Sequence, residues 1–323
     1  MISTKLNLLP QLQDLLIEVG ELLGKINNLP TTRPTPKLRR ESKIRTVFST
    51  VKIEGNNLSF DEVTSIIDGK KVAGKKEDIL EVQNALKLYD SISELNSSSE
   101  QDYLLAHKIL MNKLIDNSGS YRKVDVAIKG NDSKSYKMIF PEHQSVPTLC
   151  EKMFDYINRS NDNYIIKSSL IHYLSVSIHP FEDGNGRISR FWQTLFLSEN
   201  NKIFEFLPIE SFIRSRQADY YEYLNLAQKS DDPTGFVVFL VSIIRDSLLE
   251  GLRYSYERPT DGKQDSRLAQ AKVHFKNTYF SRKDYMMIHP TISDSMATKD
   301  LKYGVNEGLL DRLGSNNGTK YKF

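Results

Sequence analysis

His179-Pro180-Phe181-Glu182-Asp183-Gly184-Asn185-Gly186-Arg187-Ile188-Ser189-Arg190 puts a histidine, a carboxylate, a glycine-flanked asparagine and two arginines into twelve residues. Each part suits phosphoryl chemistry. His179 offers a general base, because imidazole titrates near neutral pH. Asp183 offers the hard oxygen ligands that Mg²⁺ prefers. Gly184 and Gly186 let backbone approach an anion closely, and a helix starting there aims free N–H groups at phosphate oxygens. Arg187 and Arg190, three apart, share one face of that helix and can clamp phosphates with bidentate hydrogen bonds. A turn between two helices explains Pro180 and the glycines, but not the charged and titratable residues set around them.

Working outward, most of the chain has helical period. Ile166, Leu170, Leu174 and Ile178 predict a helix over 163–178 with one buried stripe, and Pro180 follows its end. His172 inside it reads as structural. Downstream, helices are expected over 187–199, 210–228 and 233–255. Upstream, Leu12, Leu15, Leu16, Val19, Leu22 and Leu23 repeat at three and four. After Pro30, Pro34 and Pro36, a helix is expected over 37–52. Ser59 and Glu62 form a capping-box pattern before Val63, Ile66 and Ile67. Further helices are expected over 77–95, 100–115 and 145–158. Between the last two the period changes: Val124, Val126 and Ile128 alternate, Gly130-Asn131-Asp132 marks a turn, and Tyr136 to Phe140 is strand-prone, which predicts a hairpin.

Residues 257–266 have linker composition, with Pro259 and Gly262 among polar neighbours. Beyond them come a short helix near 280–285, a second over 293–307, and a hairpin over 309–323 turning at Ser315-Asn316-Asn317-Gly318. Helices followed by a small β wing resemble a winged helix-turn-helix. At 323 residues the chain has room for about two domains. Its net charge of +3 gives no global field that would argue for nucleic acid or a membrane. The single cysteine, Cys150, excludes an internal disulfide and fits a reducing cytoplasm. No signal peptide and no apolar run of about 20 residues is read in the sequence, so no membrane partner is expected.

The 179–190 string resembles the Fic signature, His-Pro-Phe-x-Asp/Glu-Gly-Asn-Gly-Arg-x-x-Arg, at every fixed position. The resemblance covers roughly residues 1–255 and includes Gly119-Ser120-Tyr121-Arg122 and Val146-Pro147-x-Leu149 on either side of the hairpin. It implies a mainly α fold: a Fic-type helical bundle with a β-hairpin flap over 1–256, an inhibitory segment at about 37–56, a core at about 100–255, then the linker and a winged-helix-like module over 267–323. It also implies an ATP- and Mg²⁺-dependent protein adenylyltransferase. By position, His179 would be the base and Asp183 the Mg²⁺ ligand, with Gly184, Asn185, Gly186, Arg187 and Arg190 on the phosphates. The glycine after Asn185 favours AMP transfer over the nucleotide-reversed kinase branch.

Other expectations rest on the same resemblance. Thr50-Val51-Lys52-Ile53-Glu54-Gly55 resembles the family's inhibitory helix, which implies that Glu54 pairs with Arg190 and that Thr50 and Gly55 shape the segment. A carboxylate there would compete with the γ-phosphate for the guanidinium. Tyr220 and Tyr221 would border the adenine, or face the core. Gln228 falls where relatives often carry another polar adenine contact. Lys137, Met138 and Ile139 would dock an extended target segment by strand addition, which leaves the target's identity unread. Self-modification and a homodimer are compatible with the resemblance, as is removal of AMP by the same site. A reading of another class is a DNA-binding regulator: Lys299, Lys302, Arg312, Lys320 and Lys322 suit phosphate contacts, while Asp294, Asp300, Glu307 and Asp311 dilute that charge.

Overall fold

The computed structural model describes residues 2–7, 9–28, 36–128, 138–256, 263–290, 292–314 and 319–323. Two compact units result, Met1–Leu252 and Arg253–Phe323. Among the described residues no helix is long and apolar enough to cross a membrane.

The first unit is helical: α1 Pro10–Asn27, α2 Pro36–Ile53, α3 Phe60–Ile67, α4 Lys76–Asp90, α5 Glu100–Leu110, α6 Val146–Arg159, α7 Tyr164–Ile178, α8 Asn185–Asn200, α9 Ile209–Ser215, α10 Gln217–Ser230 and α11 Thr234–Tyr256. Its centre is the α7–α8 pair. Every residue of α7 from Ile165 to Ile178 is buried, so this helix has no solvent face. The expected stripe of Ile166, Leu170, Leu174 and Ile178 is therefore only part of its contact surface. Small polar residues make this burial tolerable: Ser168 and Ser169 turn their hydroxyls back onto the Ile165 carbonyl, at 2.7 and 3.2 Å. α8 is buried over most of its length, with Phe191, Trp192 and Leu195 fully enclosed.

The helix expected over 210–228 is broken at Arg216, which leaves helical geometry at φ −120° and ψ 38° and pairs with Asp246 of α11. The helix expected over 100–115 stops at Leu110, and Lys113 follows in a left-handed conformation. Within the span of the expected hairpin lie two short antiparallel strands, β1 Ala127–Ile128 and β2 Met138–Ile139, in register Ala127↔Ile139 and Ile128↔Met138. Its expected turn at Gly130-Asn131-Asp132 and the Lys137 contact lie outside the described residues, as do the side chains of Met138 and Ile139.

The second unit holds α12 Lys263–Phe275, β3 Phe280–Ser281, α13 Arg282–Ile288, α14 Asp294–Asn306, β4 Asp311–Leu313 and β5 Lys320–Lys322, with strand order β3-β5-β4. Helix α12 takes in 263–266, which linker composition had assigned to the connection. Residues 257–262 lie outside the described residues, as does the turn at 315–318. Phe280 and Ser281 form a strand rather than the start of a helix: Phe280 is buried and pairs with Tyr321 of β5, and Ser281 caps α13 in a capping box with Asp284. A buried polar knot fixes the helices: Arg267 grips Asp300 at 2.6 and 2.7 Å, and the Tyr285 hydroxyl donates to Asp300 at 3.2 Å.

Candidate functional site

Helix α7 ends in His179, which sits in the left-handed region at φ 51° and ψ 58°. A side chain with a Cβ is uncommon there, and holding it costs free energy that the surroundings must offset. Arg122 does the holding. It is buried, its Nε donates to the His179 carbonyl at 2.8 Å, and its other nitrogens donate to the carbonyls of Val124 and Pro141. One guanidinium thus pins the histidine turn to both ends of the hairpin. The Phe140 ring lies against the imidazole at 3.8 Å between centroids. Burial pushes the His179 pKa down to about 4, with the Arg122 charge adding to the shift. The ring is therefore neutral at neutral pH, as a base must be. Its Nδ1 is buried.

The turn after it is built by a histidine and an asparagine. Gly119 N–H donates to His107 Nδ1 at 2.9 Å, so the ring proton sits on Nε2 and is donated to the Asp183 carbonyl, also at 2.9 Å. Phe181 stacks on the same ring at 3.6 Å. Asn185 uses both ends of its amide on Phe181, accepting from its N–H and donating to its carbonyl, each at 2.9 Å. The Asn185 side chain is thus committed to the loop, which leaves its backbone N–H as the group of this residue open to an anion. Gly184 adopts φ 81°, and a Cβ there would meet Met111 Sδ at 2.7 Å, so conformation and space both require glycine.

Helix α8 begins at Asn185, and the N–H groups of Asn185, Gly186 and Arg187 have no acceptor among the described residues. That is an anion cradle at a helix N-terminus. Arg187 is buried beside it, donating to Glu81 at 2.9 Å and to Asp183 at 3.2 Å, while its Nε lacks a partner. Arg190, with 1% of its side chain exposed, donates to the Thr50 hydroxyl at 3.2 Å, the Thr50 carbonyl at 3.0 Å and Glu54 Oε1 at 2.7 Å. A Cβ on Gly186 would stand 2.5 Å from Glu54 Oε1. The carboxylate thus rests against the cradle as well as on the arginine.

Glu54 is delivered there by the end of α2. Gly55 takes φ 92°, Gly55 N–H bonds to the Lys52 carbonyl and Asn56 N–H to the Val51 carbonyl, which is a Schellman termination. Gln217, the first residue of α10, donates to the Ile53 carbonyl at 3.1 Å and holds the same end.

A crystal structure of a Fic family protein from Desulfovibrio desulfuricans G20 superposes with a TM-score of 0.74 at 32% identity, covering 98% of this chain and 97% of that one. The chain belongs to the Fic family. The profile of the Fic/DOC family matches residues 97–197, which contain the turn just described. The Fic protein adenylyltransferase of Nematostella vectensis is 26% identical over 230 residues, 68% of this chain and 51% of that protein. Protein adenylyltransferase fic-1 of Caenorhabditis elegans is 26% identical over 232 residues, 67% and 43% respectively. The chain thus spans about half the length of the curated Fic relatives it matches.

Other Fic positions expected from sequence fall around this centre unevenly. Tyr220 is fully buried, and its hydroxyl meets His172 Nε2 at 3.0 Å while His172 Nδ1 meets Gln193 at 2.7 Å. It faces the core, the second of the two expectations held for it. Burial takes the His172 pKa down to about 3, consistent with a structural histidine. Tyr221 is half-buried, edge-on to Tyr220 at 5.1 Å. Gln228 donates to the Ser177 hydroxyl at 3.2 Å, near the end of α7. Asp183 is the exposed carboxylate of the site, with 60% of its side chain accessible. Among the described residues no cluster of three or more His, Cys, Asp or Glu could hold a metal alone. Mg²⁺ needs no such cluster, since one carboxylate, substrate phosphates and water complete its shell.

Sequence reading missed Glu81. One of its oxygens takes Arg187 and the other takes Asn56 Nδ2 at 2.7 Å, joining the first motif arginine to the residue after Glu54-Gly55. No local signal marks it, because Glu81 sits within an ordinary amphipathic helix 106 residues before its partner. His107 and Arg122 were visible as residues of α5 and of the Gly-x-Tyr-Arg string, but not as the two braces of the turn.

Proposed function

We propose that this Fic protein is a protein adenylyltransferase that moves AMP from ATP to a hydroxyl side chain, and that Glu54 restrains it. The observation that carries the reading is the meeting of a neutral His179, a free helix N-terminus at Asn185–Arg187 and two buried arginines around one turn. In the reaction the hydroxyl proton passes to His179; Nε2 is the nitrogen available, since Nδ1 is buried. The hydroxyl oxygen bonds to the α-phosphorus, the bond from that phosphorus to the bridging oxygen breaks, and pyrophosphate leaves. The backbone N–H groups, Arg187 and Arg190 stabilise the charge that moves onto phosphate oxygens. Asp183 would hold Mg²⁺, which supplies charge neutralisation on the phosphates. Tyr221 and Gln228 are the remaining candidates to border the adenine. Thr50 and Gly55 shape the segment that carries Glu54. Strands β1 and β2 serve as a flap that docks the target segment.

ATP labelled at the α-phosphate should transfer label to protein, while ATP labelled only at the γ-phosphate should not. Label from the γ position on protein would overturn AMP transfer in favour of phosphorylation.

One observation favours a second direction of the same chemistry. Glu54 Oε2 has no partner among the described residues and could orient a water for removal of AMP. Release of AMP from a pre-adenylylated protein, lost in Glu54→Gly, would identify that activity.

The topology of the second unit supports a winged-helix reading, with α13 and α14 as the helix pair and β4–β5 as the wing.

A further inference from the structure

We propose that residues 253–323 bind double-stranded DNA through the exposed face of α14. The first observation is a charge asymmetry that the small net charge conceals. Residues 253–323 carry 13 Lys and Arg against 8 Asp and Glu, a balance of +5, whereas residues 1–252 carry 31 against 33, a balance of −2. The smaller unit therefore holds all of the excess positive charge.

The second observation is how that charge is arranged. In sequence, Asp294 and Asp300 dilute Lys299 and Lys302. In the structure both are paired with arginines, while Glu307 and Asp311 stay exposed. Asp300 is 0% exposed and gripped by Arg267 with two hydrogen bonds, and Asp294 pairs with Arg282 at 3.2 Å. One side of α14 presents Ser295, Lys299, Lys302 and Asn306, all exposed, with Asp294, Met296 and Thr298 exposed beside it. Spacings of four, three and four keep these residues on one side of a helix. Neither lysine has an ion-pair partner among the described residues, and the stripe contains no carboxylate.

This chemistry fits a duplex better than a protein surface. The stripe runs roughly 16 Å along the helix at about 1.5 Å per residue, and the helix matches a major groove roughly 12 Å wide. Lysine reaches phosphates and guanine edges, asparagine pairs with adenine, and serine adapts to either. An apolar anchor of the kind that dominates protein interfaces is missing from the stripe. Arg312 and Lys320, exposed on β4 and β5, add cations on the hairpin that follows the helix. The buried knot of Arg267, Tyr285 and Asp300 fixes the rotation of α14, so the outward face is set by packing and not by chance.

The test is fluorescence anisotropy of the full chain with a labelled mixed-sequence 30-base-pair duplex at 50 and 200 mM NaCl. Binding at 200 mM in the range of roughly 10⁻⁴–10⁻⁶ M is expected, tighter at 50 mM. Lys299→Glu/Lys302→Glu should lose at least about tenfold at 50 mM, and Lys299→Ala/Lys302→Ala should lower the salt slope by about two. Both variants should keep the wild-type melting temperature. Lys70→Glu/Lys71→Glu, the same charge change on the first unit, should bind as wild type. No binding at 50 mM, or equal loss in the Lys70/Lys71 control, overturns the proposal. Polyglutamate bound as tightly as duplex and with the same variant sensitivity would assign the face to an acidic protein and also overturn it.

Discussion

His179 stands in a conformation that few side chains adopt, with a neutral ring and a buried Nδ1. General-base catalysis typically contributes about 10²–10⁴-fold. His179→Ala should therefore lose at least that much AMP transfer while still binding ATP; transfer at the wild-type rate in a purified His179→Ala protein would remove the base from the mechanism. The pH profile gives an independent check. With the free-enzyme pKa pushed down to about 4, kcat/KM should stay flat from pH 8 to 6 and fall only as pH approaches the low fours, instead of falling at the ordinary histidine value near 6.5. Asp183→Ala should weaken Mg²⁺-dependent transfer, with excess Mg²⁺ restoring it only in part, because one hard ligand is missing. Rates that do not respond to chelation would contradict the metal role. At this scale much of the site was legible. Residue types and spacing in 179–190 pointed to its chemistry, because a turn and a helix start are local structures. The commitment of Asn185 to the loop was not legible, since nothing in a sequence says whether an amide serves its own backbone or a ligand.

Elements were legible where one period rules and less so where packing overrides it. Residues 163–178 read as a helix, yet α7 is buried on all sides, so a one-faced stripe understated its place at the centre. The break between α9 and α10 at Arg216 carries no glycine or proline, and its Arg216 pairs with Asp246, which is distant in sequence. Strand alternation around 124–140 predicted a hairpin, and two antiparallel residue pairs are seen among the described residues of that span. The bridge from α4 to α8 was invisible, and it yields a prediction. Glu81→Ala would leave Arg187 buried with Asp183 as its remaining charged partner and would remove one of the two acceptors of the Asn56 amide, the Asp78 carbonyl staying as the other. Removing a charge-assisted hydrogen bond of this kind costs about 1.5–3 kcal/mol, read as a lower denaturation midpoint at unchanged slope. Wild-type stability in Glu81→Ala would show that the bridge contributes nothing.

The whole molecule depends on contacts between distant parts of the chain, and its stability should reflect three enclosed histidines. Burial lowers His107 to about 4, His172 to about 3 and His179 to about 4. In the unfolded chain they would take up protons near 6.5, so between pH 6.5 and about 4 the unfolded state binds more protons. Stability should then be full above 6.5 and fall as pH drops, by up to about 1.4 kcal/mol per histidine per pH unit. A denaturation midpoint unchanged between pH 7 and pH 5 would contradict this burial. The central claim is also a whole-molecule one, because Glu54 and Arg190 are 136 residues apart and only the fold joins them. Its most direct test is transfer of label from α-labelled ATP to protein by wild type, Glu54→Gly, Arg190→Ala and the double variant. Glu54→Gly should gain roughly ten- to a hundredfold, the release of a charge-assisted pair worth about 1.5–3 kcal/mol. The gain should disappear when Arg190 is absent, a non-additivity that separates a specific pair from general loosening. A Glu54→Gly protein with wild-type activity, or a gain that persists without Arg190, would contradict the claim.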